Sequence, residues 1–330
     1  MTTTPGAAPR AFAHPAPAAG SRIVGTGHYR PERVMTNTDL EKLVETSDEW
    51  IVQRTGIEER RIAAEDQDVA DLAAEAGRMA LADAGVDPSE VTQVIVATCS
   101  NLERSPSAAG RVAQLLGLTD PASFDVGAAC SGFEHALAVA DMSIRSGTST
   151  TTLVIGAEKL SQVTDYTDRT TCILTADGAG AMVLRPSDEP TISPVVWGSV
   201  PDLADAVTIN GEGPYFAQEG RKVLGWALRE APKISRRIVE AAGLTMSDID
   251  VFVPHQANLR MIEPLAAALD LREDAIVADD IVTSGNTSAA TIPLAISRLR
   301  EAGRIPSGAT ALLVGFGGGF SWAGQVVRLP

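Results

Sequence analysis

Apolar side chains recur along residues 69–84 at the three- and four-residue spacing of a helix with one buried face. That face consists of Val69, Leu72, Ala73, Ala76, Met79 and Ala80. The same periodicity predicts further helices over residues 108–116, 132–144 and 292–299, and short apolar runs predict strands over residues 94–97, 123–126 and 152–155. Strands that alternate with helices are typical of α/β layering, so we predict that fold class.

The second half of the chain repeats part of the first half. Gly85 and Gly243 each end a helical pattern and precede a similar strand, and they lie 158 positions apart. Residues 153–156 match residues 312–315 at an offset of 159. Two matched blocks at nearly the same offset indicate an internal duplication.

The chain has 330 residues, of which 45% are hydrophobic, so it is long enough for two lobes with a large core. We predict two related halves, residues 21–185 and residues 186–330. Residues 1–20 are rich in Ala, Pro and Thr and lack the apolar region of a secretory signal. We predict that they form a disordered extension, in which His14 has no function.

The formal net charge is −15, from 27 basic and 42 acidic residues. This charge disfavours nonspecific binding to nucleic acids or to an anionic membrane surface. No apolar run reaches the roughly 18 residues of a transmembrane helix. Cys99, Cys130 and Cys172 lack metal-ligand spacing and suit a reducing compartment. We therefore expect a cytoplasmic protein that needs no metal or redox cofactor.

The strongest candidate for chemistry is Cys130. It lies among small residues at 125–133, where a strand pattern changes into a helix pattern. A thiol at a helix N-terminus feels the positive end of the helix dipole, so we expect its thiolate form to be favoured. The alternative is a buried cysteine with a purely structural role.

Two distant segments favour the nucleophile over the structural cysteine. His255 follows an apolar run at 249–252, and Asn286 lies in a Gly-containing turn before a helical pattern. A cysteine nucleophile needs partners such as His and Asn that are close in space rather than in sequence. We therefore predict that the fold brings Cys130, His255 and Asn286 together.

These segments, in this order, resemble the thiolase superfamily and, within it, β-ketoacyl-acyl carrier protein synthase III. The resemblance extends from about Ser21 to Pro330. Further matching segments are Gly25-Thr26-Gly27, Thr46-Ser47-Asp48-Glu49-Trp50-Ile51, Arg54-Thr55-Gly56-Ile57, Thr167-Asp168-Arg169-Thr170-Thr171, Ala176-Asp177-Gly178-Ala179-Gly180-Ala181 and Gly315-Phe316-Gly317-Gly318-Gly319-Phe320-Ser321-Trp322. The resemblance implies a five-layered α/β/α/β/α fold, a homodimer, and decarboxylative condensation of an acyl-CoA primer with malonyl-acyl carrier protein.

The resemblance also implies the roles of individual residues. Cys130 takes the acyl group, and its N–H forms an oxyanion hole with that of Gly318. His255 and Asn286 stabilise the enolate that decarboxylation creates. The residues implied to bind the CoA or carrier-protein arm are Trp50, Arg54, Arg169 and Arg260, and those implied for the acyl pocket are Ser105, Thr175 and Phe316.

Three positions depart from the common bacterial pattern. Thr175 and Ser105 stand where aromatic residues often close the acyl pocket, so we expect a larger pocket and primers other than acetyl-CoA. Gly225 replaces a basic residue, although Arg221 and Lys222 lie close to it in sequence. These departures favour an enzyme of a specialised fatty-acid or polyketide pathway.

Other functions stay open at this point. A related acyltransferase would pass the acyl group to an alcohol or amine without decarboxylation, and an inactive partner subunit would act through interaction alone. A true thiolase is disfavoured because residues 315–324 contain no second cysteine. We expect His28 to lie in a turn and His135 to point away from Cys130. Cys99 ends a strand from which it could reach the site, but we expect it, like Cys172, to be a small buried residue.

Overall fold

The computed structural model describes residues 15–209 and 215–330 of the chain. Its strands are β1 (Gly20–Tyr29), β2 (Arg33–Thr36), β3 (Glu59–Ile62), β4 (Gln93–Ala97), β5 (Ala122–Val126), β6 (Thr152–Lys159), β7 (Asp177–Ser187), β8 (Val196–Ser199), β9 (Val207–Ile209), β10 (Phe216–Gln218), β11 (Val251–Pro254), β12 (Ile276–Val277), β13 (Thr310–Gly317) and β14 (Ser321–Arg328). Its helices are α1 (Asn37–Leu40), α2 (Asp48–Thr55), α3 (Val69–Ala84), α4 (Ala108–Leu115), α5 (Gly132–Arg145), α6 (Gly220–Ala241), α7 (Leu259–Ala267), α8 (Ile281–Ser284) and α9 (Thr291–Glu301).

Two five-stranded sheets form the body of the molecule. The first has the order β1-β7-β6-β4-β5, and the second has the order β8-β14-β13-β11-β12. In the first sheet β4 runs parallel to β5 and β6, whereas β7 is antiparallel to its neighbours. In the second sheet β11 runs parallel to β12 and β13, whereas β14 is antiparallel to its neighbours. The two sheets thus share one strand order.

Helices cover both faces of each sheet. The inner helices α5 and α9 lie between the sheets, in one core cluster with residues of β4, β6, β11 and β13. Helices α3 and α4 pack on the outer face of the first sheet, and α6 and α7 pack on the outer face of the second. The predicted five-layered α/β/α/β/α order is confirmed.

Local sequence signals explain why the best predicted helix has the bounds it does. Helix α3 covers the predicted residues, with Asp68 as its N-terminal cap and Gly85 in a left-handed conformation at its end. Strand β6 instead continues beyond the predicted end to Lys159. The predicted strand ends too early because Glu158 and Lys159 are polar although they are buried, and an apolar pattern does not detect such residues.

Three further expectations differ from the structure or fall partly outside it. His28 lies within β1 rather than in a turn, and its Nδ1 is 2.9 Å from Ser297 Oγ. Residues 1–14 of the expected extension, including His14, lie outside the described residues. The end of the extension is attached, because the Ala18 N–H donates to the Arg145 carbonyl and β1 begins at Gly20. The expected boundary at residue 185 falls inside β7.

No helix within residues 15–209 and 215–330 has the length and apolar character needed to cross a bilayer.

Candidate active site

Cys130 lies in a short turn between a sheet and the buried helix α5. Strand β5 ends at Val126, a single 3₁₀ turn covers Ala129–Ser131, and α5 begins at Gly132. Ala129 adopts a left-handed conformation with φ of 45°, which turns the chain sharply before the thiol. The sulfur therefore lies before the first turn of α5 rather than within it.

The structure does not favour the thiolate form that the sequence predicts for Cys130. Burial raises the pKa of Cys130 to about 11, above the ordinary value of 9.0. Three groups oppose this effect, namely the Ser288 hydroxyl, the Gly318 N–H and the Cys130 N–H. The helix dipole is a property of the neighbouring sequence, whereas the burial comes from distant segments of the chain.

The loop after β13 lies directly against the sulfur. A Cβ atom at Gly317 would lie 2.6 Å from Cys130 Cβ and 2.7 Å from Cys130 Sγ, so a side chain there would displace the nucleophile. The next residue, Gly318, directs its N–H at the sulfur. The N–H groups of Gly318 and Cys130 both act on the sulfur, where they oppose the effect of burial on the pKa of the thiol.

His255 follows the end of β11 in the neighbouring sheet. Its N–H donates to the Val314 carbonyl on β13, and its Nδ1 lies 2.9 Å from Thr291 Oγ1. The ring meets Phe316 edge-on at a centroid distance of 6.0 Å. Burial lowers the pKa of His255 to about 3, so the imidazole is neutral near pH 7. A neutral ring can donate through only one of its two nitrogens.

Asn286 is held in place by main-chain hydrogen bonds to the other half of the molecule. Its N–H donates to the Leu174 carbonyl, and its carbonyl accepts the Ala176 N–H. Its side-chain Oδ1 accepts the Ser288 N–H at 2.8 Å. The amide Nδ2 is therefore the group of this side chain that remains available to donate.

Cys130, Asn286 and Gly318 line one cavity of about 410 Å³. Its other lining residues are Thr98, Cys99, Gly127, Ala128, Ala129, Leu160, Val207, Thr208, Ile209, Phe216, Ser288, Gly319 and Ser321. A second cavity of about 580 Å³ contains Trp50, Arg54 and Arg169. Asn286 lines both cavities, so they meet at this residue.

The structure brings together three of the four residues expected to bind the substrate arm. The guanidinium carbon of Arg54 lies 4.5 Å from the centre of the Trp50 ring, and that of Arg169 lies 5.2 Å from it. Arg260 does not line the second cavity. Its guanidinium donates to the carbonyls of Val52 and Gln53 and is paired with Glu263.

The three residues expected in the acyl pocket do not line the cavity beside Cys130. Ser105 is exposed in this single chain, next to a cis peptide bond with Pro106. Thr175 pairs with Asn286 in a β-bridge, and its hydroxyl is 2.7 Å from that of Thr164. Phe316 packs against Trp226 on the opposite face of β13, because side chains alternate along a strand and Gly317 faces Cys130.

Sequence reasoning missed two residues of the site, Ser288 and Glu158, and for Cys99 it preferred a small buried residue over one that reaches the site. Cys99 lines the cavity, and its thiol donates to Glu158 Oε1 at 3.2 Å. Its expected role as a small buried residue is therefore wrong. The signal was its position, since Cys99 follows the end of β4, which is parallel to the strand that leads to Cys130. The ends of adjacent parallel strands meet at one edge of a sheet.

His255 lines neither cavity, and the same is true of His135 and Cys172. The His135 ring stacks on Trp197 at 5.5 Å, and its Nδ1 is bonded to the Ser131 carbonyl. Cys172 is buried in a separate core cluster with Leu40 and Ile51. In the described part of the chain, no group of three or more His, Cys, Asp and Glu side chains is placed to hold a metal ion.

Comparison with known proteins identifies the family. The profile of 3-oxoacyl-[acyl-carrier-protein] synthase III matches residues 124–201, and the profile of its C-terminal part matches residues 239–329. The chain is 53% identical to β-ketoacyl-[acyl-carrier-protein] synthase III 4 of Streptomyces coelicolor over 94% of its own length and 99% of that relative's.

Solved structures agree with the sequence comparison. The priming β-ketosynthase of the R1128 polyketide biosynthetic pathway superimposes with a TM-score of 0.94 at 39% identity, over 96% of this chain and 98% of that one. The 3-oxoacyl-[acyl-carrier-protein] synthase III of Aquifex aeolicus gives a TM-score of 0.89 at 40% identity, over 94% of this chain and 100% of that one. The chain has the thiolase-type α/β fold and belongs to the β-ketoacyl-acyl carrier protein synthase III family of condensing acyltransferases.

Proposed function

We propose that this enzyme loads an acyl-CoA primer on Cys130 and condenses it with malonyl-acyl carrier protein, using His255 and Asn286 in the second step. The observation that carries the proposal is that Asn286 joins two cavities, one containing Cys130 and the other containing Trp50. Substrate entering through the second cavity reaches the sulfur through the first. The proposal assigns the nucleophile to residues 21–185 and its two partners to residues 186–330.

In the first step the Cys130 sulfur attacks the carbonyl carbon of the primer thioester. The carbonyl oxygen becomes an oxyanion that accepts hydrogen bonds from the N–H groups of Cys130 and Gly318. The bond to the CoA sulfur then breaks, and CoA takes the proton that the Cys130 thiol has lost. An acyl-enzyme remains, so one difficult reaction is divided into two easier ones.

In the second step malonyl-acyl carrier protein loses carbon dioxide and becomes an enolate. Asn286 Nδ2 and His255 Nε2 donate to the enolate oxygen in a site that excludes water. For Nε2 to carry the one hydrogen of the neutral ring, the Thr291 hydroxyl must direct its hydrogen at His255 Nδ1 rather than at the Ser288 carbonyl. The enolate carbon attacks the acyl carbon on Cys130, the carbon–sulfur bond breaks, and a proton restores the thiol. Each preorganised donor of this type lowers the barrier by about 3–4 kcal/mol.

The second cavity suits the CoA or carrier-protein arm. Trp50 offers a flat ring for stacking, while Arg54 and Arg169 supply positive charge for phosphate groups. Arg221 also lines this cavity and is placed to contribute positive charge where Gly225 lacks it. Arg260 acts from outside the cavity, by holding the carbonyls at the end of α2 in place.

The size of the cavity beside Cys130 supports a primer longer than acetyl. Its volume of about 410 Å³ compares with roughly 30 Å³ for one water molecule in the liquid. Leu160, Val207 and Phe216 give it an apolar wall. We infer a medium-length or branched acyl-CoA as primer, in a specialised fatty-acid or polyketide pathway.

We further propose that the enzyme works as a homodimer in the cytoplasm. Strand β5 lies at the open edge of the first sheet, and Phe124 on it is 36% exposed. Leu102, in the loop before α4, is 65% exposed. Exposed apolar residues beside an unpaired strand suit pairing with a second copy. The three free thiols suit a reducing compartment.

Intact-protein mass spectrometry tests the proposal. The enzyme is incubated with a panel of acyl-CoA thioesters and then with malonyl-acyl carrier protein. We expect a mass gain that Cys130→Ala abolishes and that Cys172→Ala, a change in a separate core cluster, retains. Discharge of the acyl group into a β-ketoacyl carrier product with release of carbon dioxide supports condensation. Transfer to an alcohol or amine without carbon dioxide contradicts it, and no acylation by a broad panel favours an inactive partner subunit.

A further inference from the structure

Arg60 lies on β3, and its side chain is fully buried. Nη1 donates to Asn37 Oδ1 at 2.8 Å and to the Met35 carbonyl at 3.3 Å, and Nη2 donates to the Ile173 carbonyl at 2.9 Å. All three acceptors are uncharged. Burial lowers the pKa of Arg60 to about 10, which still leaves the guanidinium charged at pH 7. Since burying a charge is unfavourable for folding, stability alone does not explain an arginine at this position.

The acceptor on Ile173 lies beside the main-chain bridge that holds Asn286. Leu174 is the next residue, and its carbonyl accepts the Asn286 N–H at 2.8 Å. The Asn286 carbonyl in turn accepts the Ala176 N–H at 3.0 Å. The guanidinium of Arg60 therefore holds the segment between β6 and β7 at the point where Asn286 is bonded to it.

The stem of Arg60 faces the same bridge from its other side. Gly285 precedes Asn286 with φ of 69°, and a Cβ atom there would lie 3.0 Å from Arg60 Cβ and 2.8 Å from Ala176 Cβ. The backbone before Asn286 thus lies close against Arg60, while the guanidinium holds the facing segment. One side chain supports both halves of the bridge.

The remaining partner, Asn37, connects Arg60 to the helix of the substrate arm. Asn37 Nδ2 donates to the Asp48 carboxylate at 2.7 Å and to the Ile57 carbonyl at 2.8 Å. Asp48 begins α2, which carries Trp50, and Ile57 follows the end of that helix. Any effect of Arg60 on the arm cavity should therefore appear in KM for acyl-CoA, apart from its effect through Asn286.

We propose that Arg60 is a positioning residue that holds Asn286 in place for condensation. Arg60 lines neither cavity, so it acts through Asn286 rather than on the substrate. Arginine suits this task because its planar fork donates in two directions, to Ile173 on one side and to Asn37 on the other. The assignment rests on the proposed function, in which Asn286 Nδ2 acts on the enolate.

The test compares Arg60→Lys with Arg61→Lys as its matched control. Lysine keeps the positive charge but replaces the fork by a single ammonium group, which cannot reproduce the bonds in both directions. Arg61 is the next residue on β3, and its guanidinium donates to the carbonyls of Pro31 and Glu32 instead. The two variants therefore make the same chemical change at neighbouring positions.

Acyl-enzyme formation and carbon dioxide release from malonyl-acyl carrier protein are measured separately, each at saturating substrate. We expect Arg60→Lys to slow condensation about ten- to a hundredfold, as for a displaced donor, and to leave primer loading within about threefold of the wild type. Arg61→Lys should leave both rates unchanged. Equal losses of loading and condensation in Arg60→Lys would indicate general damage and overturn the assignment.

A double variant separates positioning of Asn286 from a merely structural role. If Arg60 acts through Asn286, then Arg60→Lys should slow condensation no further in a protein that already carries Asn286→Ala, because residues that act as a unit are not additive. We expect the double variant to lie within about threefold of Asn286→Ala alone. Losses that multiply in the double variant contradict the proposal.

Hydrogen exchange gives a readout that needs no substrate. The N–H groups of Asn286 and Ala176 close the bridge, so Arg60→Lys should speed their exchange about tenfold and leave β4 at the wild-type rate. Wild-type exchange at both groups would overturn the assignment. If their exchange rises but the wild-type enzyme releases no carbon dioxide from malonyl-acyl carrier protein, Arg60 still positions Asn286, and it is the proposed condensation that is wrong.

Discussion

Replacing Gly317 by alanine should disable the nucleophile while leaving the backbone conformation allowed. Gly317 has φ of 168°, an extended conformation that alanine also adopts. The added Cβ would lie 2.6 Å from Cys130 Cβ and 2.7 Å from Cys130 Sγ. Ordinary contacts between such atoms are at about 3.5–4.0 Å, so the two segments must separate by roughly 1 Å.

This displacement sets the expected magnitude. A misplacement of about 1 Å at a reacting group costs roughly 10²-fold in rate, and overpacking a core costs about 1–3 kcal/mol of stability. We therefore expect Gly317→Ala to slow acylation of Cys130 about a hundredfold. The free energy of unfolding should fall by about 1–3 kcal/mol, which leaves a folded protein to assay.

Intact-mass kinetics with the best acyl-CoA primer measure the acylation rate, and urea unfolding measures stability. Gly127→Ala is the matched control, because Gly127 lines the same cavity but a Cβ there has no neighbour within 4 Å. It should acylate at the wild-type rate. Acylation of Gly317→Ala within a factor of about three of the wild type would refute the steric argument, because a 1 Å displacement predicts a far larger loss.

Three further predictions concern other parts of the site. His255→Ala and Asn286→Ala should each reduce condensation by about 10²–10³-fold and reduce primer loading much less, as measured by carbon dioxide release against acyl-enzyme formation. Equal loss in both half-reactions contradicts their assigned role. Trp50→Ala should raise KM for acyl-CoA but leave the rate with a short pantetheine thioester unchanged, since that substrate lacks the nucleotide. An equal loss of activity with both substrates would instead indicate that Trp50 has a structural role. Burial holds the pKa of His255 at about 3, below the ordinary 6.5, so the neutral ring stabilises the fold above pH 6.5 and that stability is lost as pH falls toward 3. Urea unfolding should show about 2–3 kcal/mol less stability at pH 4.5 than at pH 7 from this residue, and His255→Gln should lack that component; equal acid sensitivity in the two proteins contradicts the assigned cause.

Much of the fold could be predicted because its signals are local. Helix α3 has its cap at Asp68, its apolar face and its terminating Gly85 within a single stretch of sequence. Strand β4 is a short apolar run between turns and differs from its predicted bounds by one residue. The bounds of these elements are determined by residues that are close to them in the sequence, so the sequence alone predicts them.

The environment of the site could not be predicted in the same way. The pKa of Cys130 depends on burial and on donors such as Ser288, which is distant in sequence. Glu158 is an acidic residue, yet it is fully buried, because N–H and O–H groups from another segment donate hydrogen bonds to its carboxyl group. The position of Phe316, in contrast, could have been predicted from the sequence, since side chains alternate along a strand and this places Phe316 on the face opposite to Gly317.

The left-handed turns at Ala129 and Ser288 have a consequence for how such a site can evolve. Each precedes the inner helix of its sheet, α5 in one case and α9 in the other, with φ of 45° and 46°. The two turns thus occupy equivalent places relative to the two sheets. One turn carries the nucleophile, and the other carries Ser288 on the wall of the same cavity. Because the backbone makes the same turn in both places, the side chain that each turn carries can change with the chemistry while the fold stays the same.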